Sequence, residues 1–462
     1  MTKRFKAIEK PDLEGPRSGD RARSITIQTV VERPKPHAGE MIIYSLLILL
    51  LMTGTYWRNR VWNNELEFWT DCVKKSPNKE RPHNFLGTAF LKLGNYQEAT
   101  HQYSEALRVN PGFEEAHINL GTVLFNQGRY QEAIPHLNEA LRINPNYAEA
   151  HNNLGTVFLN QGRYQEAIPH FNEALRINPN YAEPHINLGS LFFNQGKYQE
   201  AILHLKEAIR ISPSFAGAYN NLGNVFLKQG NYQEATHQYK EALRINPNFA
   251  EAHNNLGSVF LNLGKYQEAT HQYNEALRVN PNYVEAHNNL GNVFMNLGKY
   301  QEAIPHLNEA LRINPNFAQA HNNLGSVFLN LGKLQEAIPH LNEALRINPN
   351  FAEAHYNLGT VFLQQGKYRE AILHLNEALR INPNFAQAHN NLGTVFLNLG
   401  KSREAIPHLN EAIRMNPNFA EAHNNLGTAY LMIGNRDLAL KEYEILKTIN
   451  PGLANALYQK MK

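Results

Sequence analysis

From Glu80 to Leu453 the apolar and polar positions follow a pattern that returns every 34 residues, eleven times without a gap. One period, Ala148 to Tyr181, reads AEAHNNLGTVFLNQGRYQEAIPHFNEALRINPNY. Leu154, Val157, Phe158 and Leu159 recur at helical spacing, and Gly162 follows as a left-handed helix terminator. A second helical run carries Ala167, Ile168, Phe171, Ala174, Leu175 and Ile177 and stops at Asn178-Pro179. The pattern predicts helix, tight turn, helix, with Gly155 and Ala167 allowing close approach and Ala174 leaving room for the next unit. Such a unit cannot bury its apolar face alone, so neighbours must stack into a solenoid. The expected fold class is all-α, and the functional question moves from a cleft to a surface. Pro135, Pro169, Pro305, Pro339 and Pro407 fall inside the second helix, near its first turn, and predict a slight bend rather than a break.

The recurring Leu-Gly pairs (Leu86-Gly87 to Leu426-Gly427), the alanines and the closing prolines (Pro111 to Pro451) resemble the tetratricopeptide repeat, over about four-fifths of the chain. The resemblance implies a right-handed superhelical solenoid. Two positions depart from the family pattern. The first aromatic, Trp in the consensus, is His in ten units and Tyr219 in the fifth; the later Tyr is mostly Phe, as at Phe158, Phe226 and Phe260. Both substitutions keep flat rings at the helix-helix contact.

Residues 1–40 are polar, charged and proline-containing, and read as a disordered basic tail. Met41 to Trp57, MIIYSLLILLLMTGTYW, carries no charge until Arg58 and as a helix spans about 25 Å, enough to cross a thin hydrocarbon core. Tyr44 and Tyr56-Trp57 suit the two interfaces, so residues 41–58 are assigned as a single transmembrane helix. A cleaved signal peptide fits less well, because the preceding region is long and no small-x-small site follows. The flanking Lys and Arg counts tie within twenty residues, and the further basic residues of the N-terminus favour a cytoplasmic tail with extracytoplasmic repeats. Residues 59–79 then form a juxtamembrane capping helix, with Trp62 to Lys75 an amphipathic half-repeat. Residues 80–453 are the repeats, and 454–462 a C-terminal cap in which Leu457 and Met461 cover the last unit.

The net charge of +3 is carried by the tail, where nine Lys/Arg face six Asp/Glu; the remainder balances at 35 against 35. A neutral array lacks the basic stripe that nucleic acid requires, so no nucleic-acid partner is expected. One cysteine, Cys72, permits no internal disulfide and falls where a repeat would carry its small alanine. Twenty of the twenty-one histidines lie in the array, ten at position 4 of the unit and ten at positions 22 or 23. Without carboxylate or cysteine at ligand spacing they are read as core packing and as ordinary surface pairs such as Glu132 with His136, not as metal ligands. No catalytic residue and no cofactor is assigned.

Numbering each unit from its first residue, positions 4, 7, 8 and 11 of the first helix cluster on one side and positions 2, 6, 9 and 13 fall opposite. In tetratricopeptide arrays the latter line the concave wall. Position 6 is Asn in ten units: Asn119, Asn153, Asn187, Asn221, Asn255, Asn289, Asn323, Asn357, Asn391 and Asn425. Position 13 is Asn in seven units, position 9 is Thr, Ser or Asn throughout, and position 2 is Glu in seven. A side-chain amide offers a donor and an acceptor, which is what a peptide bond needs from a partner. The position-6 row is similar to the asparagine ladder of O-GlcNAc transferases, a resemblance that implies a peptide-binding groove. A solubilising residue copied along with its unit is the alternative source of the same row. The glutamates favour neutral to basic protein segments. Finally, Thr55 to Trp62 with Phe68-Trp69-Thr70-Asp71 and Ser76-Pro77 is similar to the join between membrane helix and repeat tail in polytopic sugar-transferase-like proteins, whose repeats lie outside the cytoplasm. Three functions therefore stand, the third a soluble cytoplasmic adaptor in which Met41 to Trp57 packs on a partner. One is a membrane-anchored scaffold binding extended segments; the alternative is an accessory or detached tail of a membrane glycosyltransferase presenting acceptor proteins.

Overall fold

A computed structural model describes residues 38–62 and 64–462, and these hold twenty-five α-helices and no strand. The basic tail, residues 1–37, lies outside the described residues. The first helix, α1 (Ala38–Trp62), is longer than the apolar run at both ends, and no proline between Ala38 and Trp62 interrupts it. Asn64 then caps α2 (Glu65–Lys75), its side chain accepting from the backbone N–H groups of Leu66 and Glu67. The capping element is thus shorter than residues 59–79, since α1 takes up 59–62. Eleven hairpins follow as α3 to α24, from α3 (Glu80–Lys92) with α4 (Tyr96–Val109) to α23 (Ala420–Met432) with α24 (Arg436–Ile449), and α25 (Pro451–Met461) closes the chain.

The described residues up to Val157 and those from Phe158 form two compact units. In the first unit α2 packs on the first hairpin: Trp69 stacks on Phe85 with ring centroids 4.5 Å apart, and Lys92 Nζ lies 2.8 Å from Glu65. Cys72 is half-buried in that helix. Leu120, Val123, Ala133, Leu137 and Ala140 build the core of the second hairpin.

In the second unit repeat 8 shows why the unit folds. Its first helix, α17 (Ala318–Asn330), ends on Gly332 at φ +71°, a left-handed residue that only glycine adopts without cost. The Gly332 N–H bonds to Leu329 O and the Lys333 N–H to Phe328 O, satisfying carbonyls the helix end leaves open. Gly325 faces the second helix, α18 (Leu334–Ile347), so closely that a Cβ there would lie 2.6 Å from Leu341 Cγ. Ala337 and Leu341 of that helix join Leu358 and Val361 of the next repeat in one buried cluster. Each second helix is therefore completed by the following first helix, and the last by α25, where Leu457 and Met461 bury against Ala439 and Leu446. Pro339 and its four counterparts lie past the first turn rather than near it, and each helix continues through them. A proline there forfeits one backbone bond; packing on both neighbours holds the helix together.

Candidate functional site

Within each unit the position-6 asparagines form a ladder of bonds from repeat to repeat. In the first unit Asn119 Nδ2 donates to Asn84 Oδ1 at 2.9 Å and Asn153 Nδ2 to Thr122 Oγ1 at 2.9 Å. In the second unit Asn289 donates to Asn254 at 3.0 Å, Asn323 to Asn288 at 2.9 Å and Asn357 to Asn322 at 2.9 Å. Asn255 reaches both Asn220 and Asn224, and Asn425 both Asn390 and Thr394. Asn221 donates to Ser190 at 3.2 Å and Asn391 to Thr360 at 2.9 Å, while Asn187 is half-buried within the same row.

The acceptor is chosen by position 5 of the preceding repeat, a position that sequence reasoning passed over. Where it is Asn (Asn84, Asn220, Asn254, Asn288, Asn322, Asn390), its buried carbonyl takes the bond. Where it is Ile118, Ile186 or Tyr356, the bond moves one helical turn on to the position-9 hydroxyl. The signal was present in the sequence as an Asn-Asn dipeptide whose first residue is replaced in just those units. Repeat 1 has Phe85 at position 6, and no repeat precedes it; its ring instead meets Trp69 of α2. At the other end Lys460 Nζ donates to Thr428 Oγ1 at 3.0 Å, so the C-terminal helix occupies the last position-9 acceptor.

The row is therefore half-buried rather than standing free: eight of the ten asparagines are half-buried, and Asn323 and Asn357 are buried. One N–H of each of these nine bonded asparagines is spent on the preceding repeat. An amide has two N–H groups and two acceptor lone pairs, so most rungs retain capacity for a ligand. Asn255 and Asn425, each with two acceptors, have spent both N–H groups. Flanking the ladder, Glu at position 2 is exposed in all seven units that carry it, and Asn at position 13 in all seven of its own. Glu251 is also held by Asn220 Nδ2 at 2.9 Å, which orients its carboxylate beside the ladder. The interior behind is dry enough that burial pushes the Tyr273 phenol up to about 12.

The histidines are organised differently from the surface pairs expected. Position 4 faces position 23 across the hairpin, Nδ1 to Nδ1, at 3.1 Å for His117 and His136, 3.0 Å for His185 and His204, 3.3 Å for His321 and His340, 3.1 Å for His355 and His374, and 3.3 Å for His389 and His408. Helical spacing along one strand of sequence could not show a contact made nineteen residues away. In repeats 1 and 6 the partner is Gln102 or Gln272, and in repeat 11 it is Glu442 at 2.6 Å. Among the described residues no group of three or more His, Cys, Asp or Glu is arranged to hold a metal ion.

Residues 24–255 and 246–448 match the family described as cilia and flagella-associated protein 70 C-terminal domain. No curated protein matches the chain. Among solved structures the chain is similar to one in the crystal structure of the APC/C hetero-tetramer Cut9-Hcn1, at 14% identity and TM-score 0.51, covering 88% of this chain and 94% of that one. It is also similar to a chain from the functional characterization of Pseudomonas aeruginosa pilF, at 22% identity and TM-score 0.41, covering 45% of this chain and 94% of that one. At such identity the first likeness speaks for the fold alone.

Proposed function

The chain belongs to the tetratricopeptide-repeat family of the cilia and flagella-associated protein 70 C-terminal domain, and from that premise we propose that its first-helix wall is a groove for extended, neutral to basic protein segments. It is a repeat scaffold for protein–protein interaction. The observation that carries the finer reading is the juxtaposition of two rows: exposed position-2 glutamates beside amides that retain an N–H or a lone pair after linking the repeats. An extended main chain would bond to the amides with little regard for its side chains, and Lys or Arg along it would meet the glutamates. The ladder bonds lend the wall rigidity, which lowers the ordering cost of binding.

The apolar side chains of α1 support a membrane anchor in the same reading. Ala38–Tyr56 has a mean hydropathy of 1.7 and none of that stretch is buried. Leaving so many large apolar groups in water is costly, at about 25 cal/mol per Å2, whereas a hydrocarbon core accommodates them. The basic tail on its N-terminal side favours extracytoplasmic repeats.

A photo-crosslinking residue placed at Asn296, exposed on the first-helix wall, tests the groove against one at Leu373, exposed on a second helix. A basic extended peptide should be captured at Asn296 and not at Leu373. Equal capture at both, or capture at Leu373 alone, contradicts the reading.

A further inference from the structure

The paired imidazoles have room for fewer protons than their nitrogens could hold. In repeat 9, His355 Nε2 lies 3.2 Å from the carbonyl of Pro349, and a carbonyl can only accept, so Nε2 carries a hydrogen. Neutral His355 then has a bare Nδ1, which accepts from Nδ1–H of His374 at 3.1 Å. A first extra proton goes to His374 Nε2 and leaves this bond intact. A second, on His355 Nδ1, would set N–H against N–H and break it. Repeats 8 and 10 repeat the arrangement with His321 on Pro315 and His389 on Pro383.

The surroundings do not offset the excluded charge. The groups acting on His355 from its own hairpin are Glu377 and Arg380, already paired with each other at 2.7 Å. Glu343 with Arg346 and Glu411 with Arg414 do the same in the flanking repeats. The remaining faces are the preceding loop's proline carbonyl and the ring of Phe362, stacked on His374 with centroids 5.6 Å apart. Burial, then the charge of the partner imidazole, pushes His340, His374 and His408 below the usual histidine range. Repeats 1, 6 and 11 differ: both nitrogens of His83, His253 and His423 face oxygens, of Gln102, Gln272 or Glu442 on one side and a proline carbonyl on the other. An imidazolium is satisfied there.

We propose that the imidazole pairs make the hairpins of repeats 8, 9 and 10 a proton-operated latch, opening in mild acid while repeats 1, 6 and 11 stay closed. The sign follows from linkage. Below about pH 6.5 the unfolded segment takes two protons per pair and the closed hairpin at most one. Each excluded proton multiplies the opening constant about tenfold per pH unit, and three adjacent pairs opening together about a thousandfold. Because the first helices of these repeats carry Asn323, Asn357 and Asn391, opening would also release a segment held in the groove; this last consequence rests on the peptide-binding reading, the latch itself does not.

Hydrogen exchange of the full chain in detergent, corrected for intrinsic rate, tests the latch between pH 7.5 and pH 5.5. Protection across residues 318–415 should fall at least about tenfold more than in repeats 6 and 11. The same chain with His340→Gln, His374→Gln and His408→Gln, the arrangement repeats 1 and 6 already use, should lose that difference. A uniform fall along the array, or a triple variant as acid-sensitive as the parent, overturns the proposal. If the triple variant does not fold, proton uptake on unfolding the parent chain at pH 6 decides: about three protons or more are expected, and no net uptake overturns it.

Discussion

Asn323 Nδ2 donates to Oδ1 of Asn288, in the preceding repeat, at 2.9 Å, and both side chains are buried. The bond ties first helix to first helix, whereas most apolar burial runs through the intervening second helix. Asn288→Ala removes the Asn323 acceptor and leaves a small cavity in a buried site, and should cost about 1–3 kcal/mol. Asn288→Ile should cost less: in either variant Asn323 can turn to Asn292 at position 9, as Asn255 already reaches Asn224, but only isoleucine fills the buried space the amide leaves. Urea unfolding of the two variants side by side checks the order.

The two glycines of repeat 8 should fail in different ways. At Gly332 a Cβ has open space but φ is +71°, so Gly332→Ala costs about 1–2 kcal/mol and Gly332→Asn, which tolerates that conformation, costs less. At Gly325 the backbone is ordinary and the obstacle is Leu341, so Gly325→Ala costs about 1–3 kcal/mol and Gly325→Asn costs more still. Thermal unfolding of the four variants should show Asn rescuing one site and worsening the other.

Much of this architecture was legible in the sequence. The 34-residue period, Gly162 and its counterparts at the turn, and the small residues such as Gly325 at the helix–helix contact reported the hairpin directly, because turn chemistry and close approach each admit few residue types. The position-6 row was legible from helical angle alone. Its bonding was not, since the acceptors at position 5 lie on the core side, where a helical wheel expects apolar residues. The imidazole pairs were missed for a related reason: His117 and His136 meet only once the hairpin has closed, and within the second helix His136 looks like an ordinary partner for Glu132. Contacts between helices set these features; periodicity within a helix carries no trace of them.

His423 should titrate opposite to the imidazole pairs. Its Nδ1 lies 2.6 Å from Glu442, and this bond raises its pKa above the usual histidine value despite burial. A raised pKa contributes stability that is complete below about pH 6.5 and is lost as pH climbs through the folded value. Glu442→Gln should lower the His423 pKa and abolish this loss, read by NMR titration of the imidazole and by the pH dependence of unfolding of the last repeat.

If α1 spans a bilayer, Leu49→Arg should weaken insertion by about 2.5–3.5 kcal/mol. The parent chain should stay with membranes through a carbonate wash and the variant should be released in larger part. Equal release of both would place α1 elsewhere.

The groove is the central claim, and one titration tests it most directly. A fluorescent extended peptide rich in Lys and Arg is added to the chain and to a variant with Glu285→Gln, Glu353→Gln and Glu421→Gln, exposed residues with no part in the ladder bonds. Anisotropy should show the parent binding the basic peptide more tightly than an acidic one of equal length, with affinity falling about tenfold in the variant and with added salt. Tighter binding of the acidic peptide, or a variant indistinguishable from the parent, would contradict a glutamate-flanked amide groove.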